Sequence, residues 1–347
     1  MKAAVLYGAK DVRVEAVEMP ELAEGMALLK VKQAGICGSD LHYFADGYCG
    51  AFVPSRPFIL GHELTAEVVA VKNSTLPKKL KVGARVTVNP ARACGYCSFC
   101  KSGLQNLCKG TIMLGSGSTN PPTNGAFSEY VAVRVDQCHE LPDDMENGIG
   151  AMMEPLAVAL QAVKQAGSVS GKRILVTGGG AIGLLTAVVA KAFGAVVVAV
   201  SDISPERRQG ALDIGADSAL DPSDKALLEK VNTLTTDGFD IIFEASGARP
   251  ALRQAFDLVK SGGTIVQIGT VGTEDVPLPA NQLMVKQITF VGSFRYADIF
   301  DEAIALVSSG RIDLKPFITG VFPLSEVNEA FASAFDKAHS LKVQIVI

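Results

Sequence analysis

RILVTGGGAIG, residues 173–183, reads as a strand of β-branched and apolar residues that runs directly into a glycine turn. The apolar helical stretch Leu184 to Ala192 follows at once. The glycines fall at Gly178, Gly180 and Gly183. At this spacing the first permits a tight turn, the second lets backbone approach a pyrophosphate, and the third allows close helix-to-strand packing. Ala181 and Ile182 lie within the turn, ahead of the helix N-terminus on which an anion is held. The same spacing also occurs in ordinary turns, so the deciding residue is an acid at the end of the next strand. Asp202 closes VVVAVSD (196–202), nineteen residues after Gly183, where a carboxylate can hold both ribose hydroxyls of a dinucleotide. Its charge favours NAD over NADP, because a 2′-phosphate would face it unless Arg207 or Arg208 swings in to compensate. Placed before Ser204-Pro205, the same acid can also serve as a helix N-cap.

Outward from this turn the texture is that of a parallel sheet wound by crossovers. Strand-like runs at Arg173 to Thr177, Val196 to Ser201, Phe239 to Glu244, Gly263 to Ile268 and Ile288 to Gly292 alternate with helical patterns, and Ser218 to Leu220 adds a weaker sixth. The first 150 residues differ. Short β segments at Ala3 to Leu6, Ala27 to Ala34, Glu67 to Val71, Arg85 to Val88 and Ser128 to Val135 predict an irregular β-rich domain. A helix at Ile299 to Ser308 precedes the alternating segment Leu341 to Ile347, a strand expected to return to that first domain.

A chain of 347 residues exceeds the size of one core, so two domains are expected. It is 48% hydrophobic and 20% charged, has 34 glycines and no tryptophan, and fits an α/β protein. A net charge of −4 gives no general attraction for phosphate backbones, so nucleic acid is not an expected partner. MKAAVLYGAKDVRVEAV alternates like a strand and lacks an export signal. The most apolar region, Leu184 to Val200, is broken by Lys191 and Gly194, so no membrane span is expected. Seven cysteines without an export signal imply thiols in a reducing cytoplasm.

Four of those cysteines, Cys94, Cys97, Cys100 and Cys108, share the segment CGYCSFCKSGLQNLC. Four thiolates on a turn-rich loop can close tetrahedrally on one ion with bonds of about 2.3 Å, the requirement of a structural zinc site. Cysteines at two-residue gaps crowd too closely to pair neatly as disulfides. A second, sparser set comprises Cys37 in GICGSDLH, His62 and Glu63 in LGHE, and Glu154 in MMEPLAVAL. Sulfur, imidazole and carboxylate together suit a catalytic zinc with one open position. Spacing alone does not assemble this set, and each residue can equally be an ordinary buried side chain.

Taken together these motifs resemble the zinc-dependent medium-chain alcohol and polyol dehydrogenases over essentially the whole chain. The residues that carry the resemblance are Cys37-Gly38-Ser39-Asp40-Leu41-His42, Gly61-His62-Glu63, the four-cysteine lobe, Glu154-Pro155-Leu156 and the turn from Gly178 to Gly183. The resemblance implies a GroES-like β-rich catalytic domain built from residues 1–155 and 294–347, with a structural-zinc lobe at about 90–110. It places a Rossmann NAD-binding domain, a doubly wound parallel sheet, at 156–293. It makes Cys37 and His62 ligands of the catalytic zinc, with Glu63 and Glu154 alternating as third ligand or as its water-bridged partner. Two zinc ions per chain and a homotetramer or homodimer also follow from it. One departure is visible: the family usually has a glycine three residues after the GHE glutamate, where this chain has Ala66.

Leu41-His42-Tyr43 with Gly50-Ala51-Phe52, Phe294-Arg295-Tyr296, and Asp336-Lys337 through Lys342-Val343-Gln344 are similar to the sorbitol dehydrogenase branch of the family. At the C-terminus they are closer to the L-idonate 5-dehydrogenase branch. Tyr43, Arg295 and Tyr296 would then offer polar partners to a polyol or sugar acid, although Arg295 can also be a surface or phosphate-binding cation. The resemblance implies that zinc lowers the pKa of the substrate hydroxyl and that hydride passes to the nicotinamide. It also implies that Ser39 and His42 relay the proton through the nicotinamide ribose to water. Two other readings are open, the first from the same architecture. A zinc-free quinone or enone reductase leaves Cys37, His62 and the lobe without purpose, and a non-catalytic redox sensor would use the lobe as a thiol switch.

Overall fold

The computed structural model describes residues 1–72 and 80–347, which divide into two compact units, 1–154 with 300–347, and 155–299. The second crossing falls at Ile299–Phe300 rather than at the expected 293–294, so Arg295 and Tyr296 belong to the second unit. No helix among the described residues is long and apolar enough to cross a membrane.

The second unit carries a six-stranded parallel sheet. Its spatial order is Ser218–Leu220, Val197–Ser201, Arg173–Thr177, Phe239–Glu244, Val259–Gln267, Thr289–Gly292. Read in sequence order this is 3-2-1-4-5-6, the order of a doubly wound dinucleotide-binding sheet, in which the direction of winding reverses between the first and fourth strands. The inner strands are buried along nearly their whole length, as the runs ILVT and FDIIFE require when both faces are covered. Leu175, Ala199, Phe239, Ile242, Phe256 and Ile265 form the core between sheet and helices.

The larger sheet of the first unit is mixed. Its order is Cys138–Glu140, Arg85–Val88, Glu63–Val71, Met26–Gly35, Lys342–Val346, Ile318–Pro323, with Tyr130–Arg134 also paired to Met26–Gly35. Lys342–Val346 lies antiparallel to Met26–Gly35, with Gln344 opposite Gly35. A smaller sheet joins Asp11–Ala16, Lys2–Gly8 and Phe58–Ile59. Leu29, Val31, Leu64, Val86, Phe127, Phe331 and Ile345 pack in the common core of this unit.

Two elements differ from expectation in their bounds. The strand expected at Glu67 begins at Glu63: Glu63 to Ala66 alternate polar and apolar residues, yet all four are buried, so the polar side of this pleat faces the interior rather than solvent. The helix expected from Leu184 opens at Ala181, with Gly180 as its N-cap.

Candidate metal centres and cofactor turn

Cys37 caps the helix Gly38–Asp46, in extended conformation with φ −92° and ψ 159°. Asp40, three residues on, accepts the Cys37 backbone N–H at 2.9 Å and so fixes the turn that presents the thiol. His62 and Glu63 enter the Glu63–Val71 strand beside it. The ligand atoms of Cys37, His62 and Glu63 all lie within 4.8 Å of one another. His62 and Glu63 are buried, and Asp40 beneath them is wholly so. The other Asp40 oxygen accepts the Gly61 N–H at 3.3 Å and stands 3.7 Å from His62 Nδ1. Glu154, in the first turn of Met153–Gln165, is buried as well, although it lies outside the three-donor group.

Charge in this pocket is balanced by a residue to which the sequence assigned no role. Lys342 Nζ, in the strand Lys342–Val346, is 2.7 Å from both Glu63 oxygens and 3.2 Å from the Ile36 carbonyl. Burial works against the Lys342 cation, yet Glu63, Cys37 and Glu154 hold its pKa above the ordinary lysine value. Burial likewise opposes the His62 cation, but Asp40, Cys37 and Glu154 outweigh it and hold His62 well above the usual imidazole range. Burial also raises Asp40. Two carboxylates and a thiol facing one lysine and one imidazole, with a third carboxylate behind, form a donor set suited to a divalent ion. Asp40 and Lys342 were named in the sequence only as parts of matching segments, and the role of each is seen first in the structure. The available signals were a carboxylate placed to cap its own helix and a lone cation in an otherwise buried strand.

Ser39 is half-buried on the first turn of the Gly38–Asp46 helix, and His42 is exposed three residues on, its Nδ1 3.4 Å from Asp46. Tyr43 is buried against Phe58, and its hydroxyl accepts the Gly117 N–H at 2.9 Å. Tyr43 therefore anchors the 116–117 segment to the helix that Cys37 caps.

In the cysteine lobe, the short helix Ser98–Lys101 brings Cys97 and Cys100 Sγ to 3.5 Å, and Cys94 Sγ lies 3.9 Å from Cys100 Sγ. All four sulfurs are within 4.8 Å of one another. Four bonds of about 2.3 Å to a tetrahedral ion would set sulfurs about 3.8 Å apart, so the lobe has the dimensions of a closed zinc site. The Cys94 backbone N–H helps pull the Cys108 thiol down to about 6, while desolvation pushes Cys100 up to about 12. A thiolate at one corner makes the next harder to ionise until a cation is shared.

The glycine turn lies in the second unit. Gly178 N donates to Ser201 O, joining the turn to the next strand. A Cβ on Gly183 would lie 1.9 Å from Gly178 O, so only glycine lets the Ala181–Ala192 helix pack this close to the turn. Asp202 accepts the Gly179 N–H at 2.7 Å and the Ser204 N–H at 2.9 Å, and Ser204 rather than Asp202 caps the Pro205–Asp213 helix. Arg207 reaches back to donate to Gly179 O at 3.0 Å, and its guanidinium lies 3.6 Å from where a Gly180 Cβ would be. The acid and a cation thus flank the turn together, a cradle fitted to a nucleotide's ribose and phosphates. Further along the unit, Arg295 adopts φ +52° with its guanidinium 4.7 Å above the Phe294 ring, and Tyr296 is buried.

Comparison with known proteins adds to this geometry. Residues 23–143 match the alcohol dehydrogenase GroES-like domain, and residues 181–309 match the zinc-binding dehydrogenase family. Sorbitol dehydrogenase of Bacillus subtilis (strain 168) is 35% identical over 347 residues, covering 99% of this chain and 97% of its own. L-idonate 5-dehydrogenase of Escherichia coli K-12 superposes with a TM-score of 0.93 at 32% identity, over 100% of this chain and 98% of its own. The 2R,3R-butanediol dehydrogenase of Bacillus subtilis superposes at 0.90, also with 32% identity, over 100% and 99%.

Proposed function

The chain belongs to the zinc-dependent medium-chain alcohol and polyol dehydrogenases, and from that premise we propose that it moves a hydride from a secondary alcohol of a polyol or sugar acid to NAD, with L-idonate as the first candidate substrate. When bound, zinc supplies Lewis-acid polarisation of the substrate hydroxyl and the nicotinamide supplies the hydride acceptor. The observation that supports this reading most directly is the gathering of Cys37, His62 and Glu63 within 4.8 Å of one another, inside a buried, acid-rich pocket.

Cys37, His62 and Glu63 would hold the catalytic ion, with Glu154 as the neighbouring carboxylate. Asp40, near His62 Nδ1, orients the imidazole from behind, and Lys342 fixes the Glu63 carboxylate. Ser39 Oγ would act as a relay, accepting the proton of the substrate hydroxyl as its own hydroxyl proton leaves toward His42. His42, three residues on along the same helix face and open to solvent, releases it to water. Cys94, Cys97, Cys100 and Cys108 would hold a second ion with no position open to substrate. Asp202 would hold the adenosine ribose and select NAD over NADP, with Arg207 on the phosphates.

The test is reduction of NAD and NADP, followed by absorbance, across L-idonate, sorbitol, xylitol, 2,3-butanediol and threonine. A clear preference for a polyol or sugar acid with NAD is expected. Preference for threonine or a simple primary alcohol would overturn the assignment.

A further inference from the structure

Outside the metal centre and the glycine turn, the most heavily bonded acid is Glu244, fully buried at the end of the Phe239–Glu244 strand. It pairs in register with Thr177, the last residue of the strand that feeds the glycine turn. The carboxylate therefore stands at the carboxyl edge of the sheet where winding reverses, the place where ligands of such sheets bind.

Every partner of its side chain is a donor. Thr177 Oγ1 donates at 3.2 Å, Ser246 N at 2.9 Å and Gly247 N at 3.0 Å, and Ser246 Oγ and Gln267 Nε2 donate as well. Its main-chain oxygen accepts Ile268 N at 2.8 Å and Gly269 N at 2.9 Å. One residue thus ties together the segments that leave three adjacent strands. Its reach extends to the glycine turn, since Ser246 backbone atoms lie 2.9 Å from where a Gly178 Cβ would be. Among the described residues no lysine or arginine forms an ion pair with it, so a carboxylate is buried here on hydrogen bonds alone. The amide oxygen of Gln267 beside it is buried with no partner.

We infer that Glu244 is a positioning residue for the nicotinamide cofactor, whose buried negative charge at the sheet's reversal point favours the cationic oxidised ring over the neutral reduced one. The inference rests on the reading of this unit as a nicotinamide-dinucleotide site, and it adds two separable properties. The donor network holds the three segments in one arrangement, which serves NAD+ and NADH alike. The charge discriminates between them, because a full charge in a site of low effective dielectric acts on the form that gains a positive ring and is nearly indifferent to the other.

Dissociation constants of the zinc-loaded protein for NAD+ and NADH, measured by calorimetry without substrate, separate the two. Glu244→Gln removes the charge and turns one acceptor into a donor facing the network, so it should weaken both forms, and NAD+ about tenfold more than NADH. Glu244→Asp keeps the charge but shortens its reach, and should weaken both forms together by about fivefold, with their ratio unchanged. Equal loss of both forms in the glutamine variant would overturn the electrostatic role. Wild-type affinity for both forms in the aspartate variant would overturn the positioning role, and that variant decides if the glutamine protein does not fold. A wild-type protein that binds neither NAD+ nor NADH would instead sink the underlying cofactor reading.

Discussion

Lys342 is buried with its ammonium between both oxygens of Glu63, in a strand where Val343 and Ile345 are core residues. A buried pair of this kind contributes little net stability over an apolar pair, but removing one partner leaves the other charge stranded. Lys342→Met is therefore expected to destabilise the protein by about 3–5 kcal/mol. The loss should be larger after zinc is stripped with a chelator than with zinc bound, since a metal ion would also neutralise Glu63. Urea denaturation of both forms checks this, and equal midpoints for variant and wild type would show that the pair is not what holds Glu63. At this scale the sequence was only partly legible. Cys37, His62 and the lobe cysteines are chemically distinctive types in short motifs, so they stand out. Lys342 reaches a partner 279 residues away, and no local pattern announces such a pairing.

Legibility at the level of elements followed burial. Arg173–Thr177 and Phe239–Glu244 could be read residue for residue, because strands covered on both faces are written as short apolar runs between turn signals, and the half-buried edge strand Ser218–Leu220 was legible only as a weaker run. Val259–Gln267 begins four residues before the expected Gly263, since Ser261, Gly262 and Gly263 look like a loop and the pairing shifts register there. Two-residue strands such as Phe58–Ile59 and Ala91–Arg92 carry no periodicity at all. The glycine turn was fully legible as a motif, and the structure supplies the steric reason for one of its members. Gly183→Ala would drive a methyl into Gly178 O, pushing the Ala181–Ala192 helix away from the turn. We expect a lower melting temperature and at least a tenfold weaker NADH affinity by fluorescence titration. An alanine variant with unchanged affinity would mean that the turn is not where the cofactor is held.

For the whole molecule, composition and motif order suffice for the fold class and for expecting one closed and one open donor group, and the geometry adds how near the donors of each group stand. The two donor groups are built from different residues of one unit, one closed by four sulfurs and the other lined by mixed donors. Elemental analysis should find two zinc ions per wild-type chain. Cys100→Ser should lose one ion together with thermal stability, while Cys37→Ser should lose the other ion and all turnover but retain NADH binding. A fully active Cys37→Ser protein would remove the catalytic assignment, and a Cys100→Ser protein with unchanged zinc content and melting temperature would remove the structural one.

The strand Lys342–Val346 lies in the sheet between Met26–Gly35 and Ile318–Pro323, beside residues that precede it by some three hundred positions. On the ribosome, the Gln33–Gly35 edge next to Cys37 must wait for that strand to be translated, whereas all six strands of the 155–299 unit have been made once Gly292 emerges. The unit encoded in the middle of the chain is thus free to finish folding while its discontinuous neighbour still has an open sheet edge. Nascent chains halted with Gly292 outside the exit tunnel and Lys342 not yet emerged would carry a complete nucleotide fold and an exposed, aggregation-prone strand at the same time. Maturation would then run from the interior of the sequence outward, with the cation beneath Glu63 among the last parts to arrive.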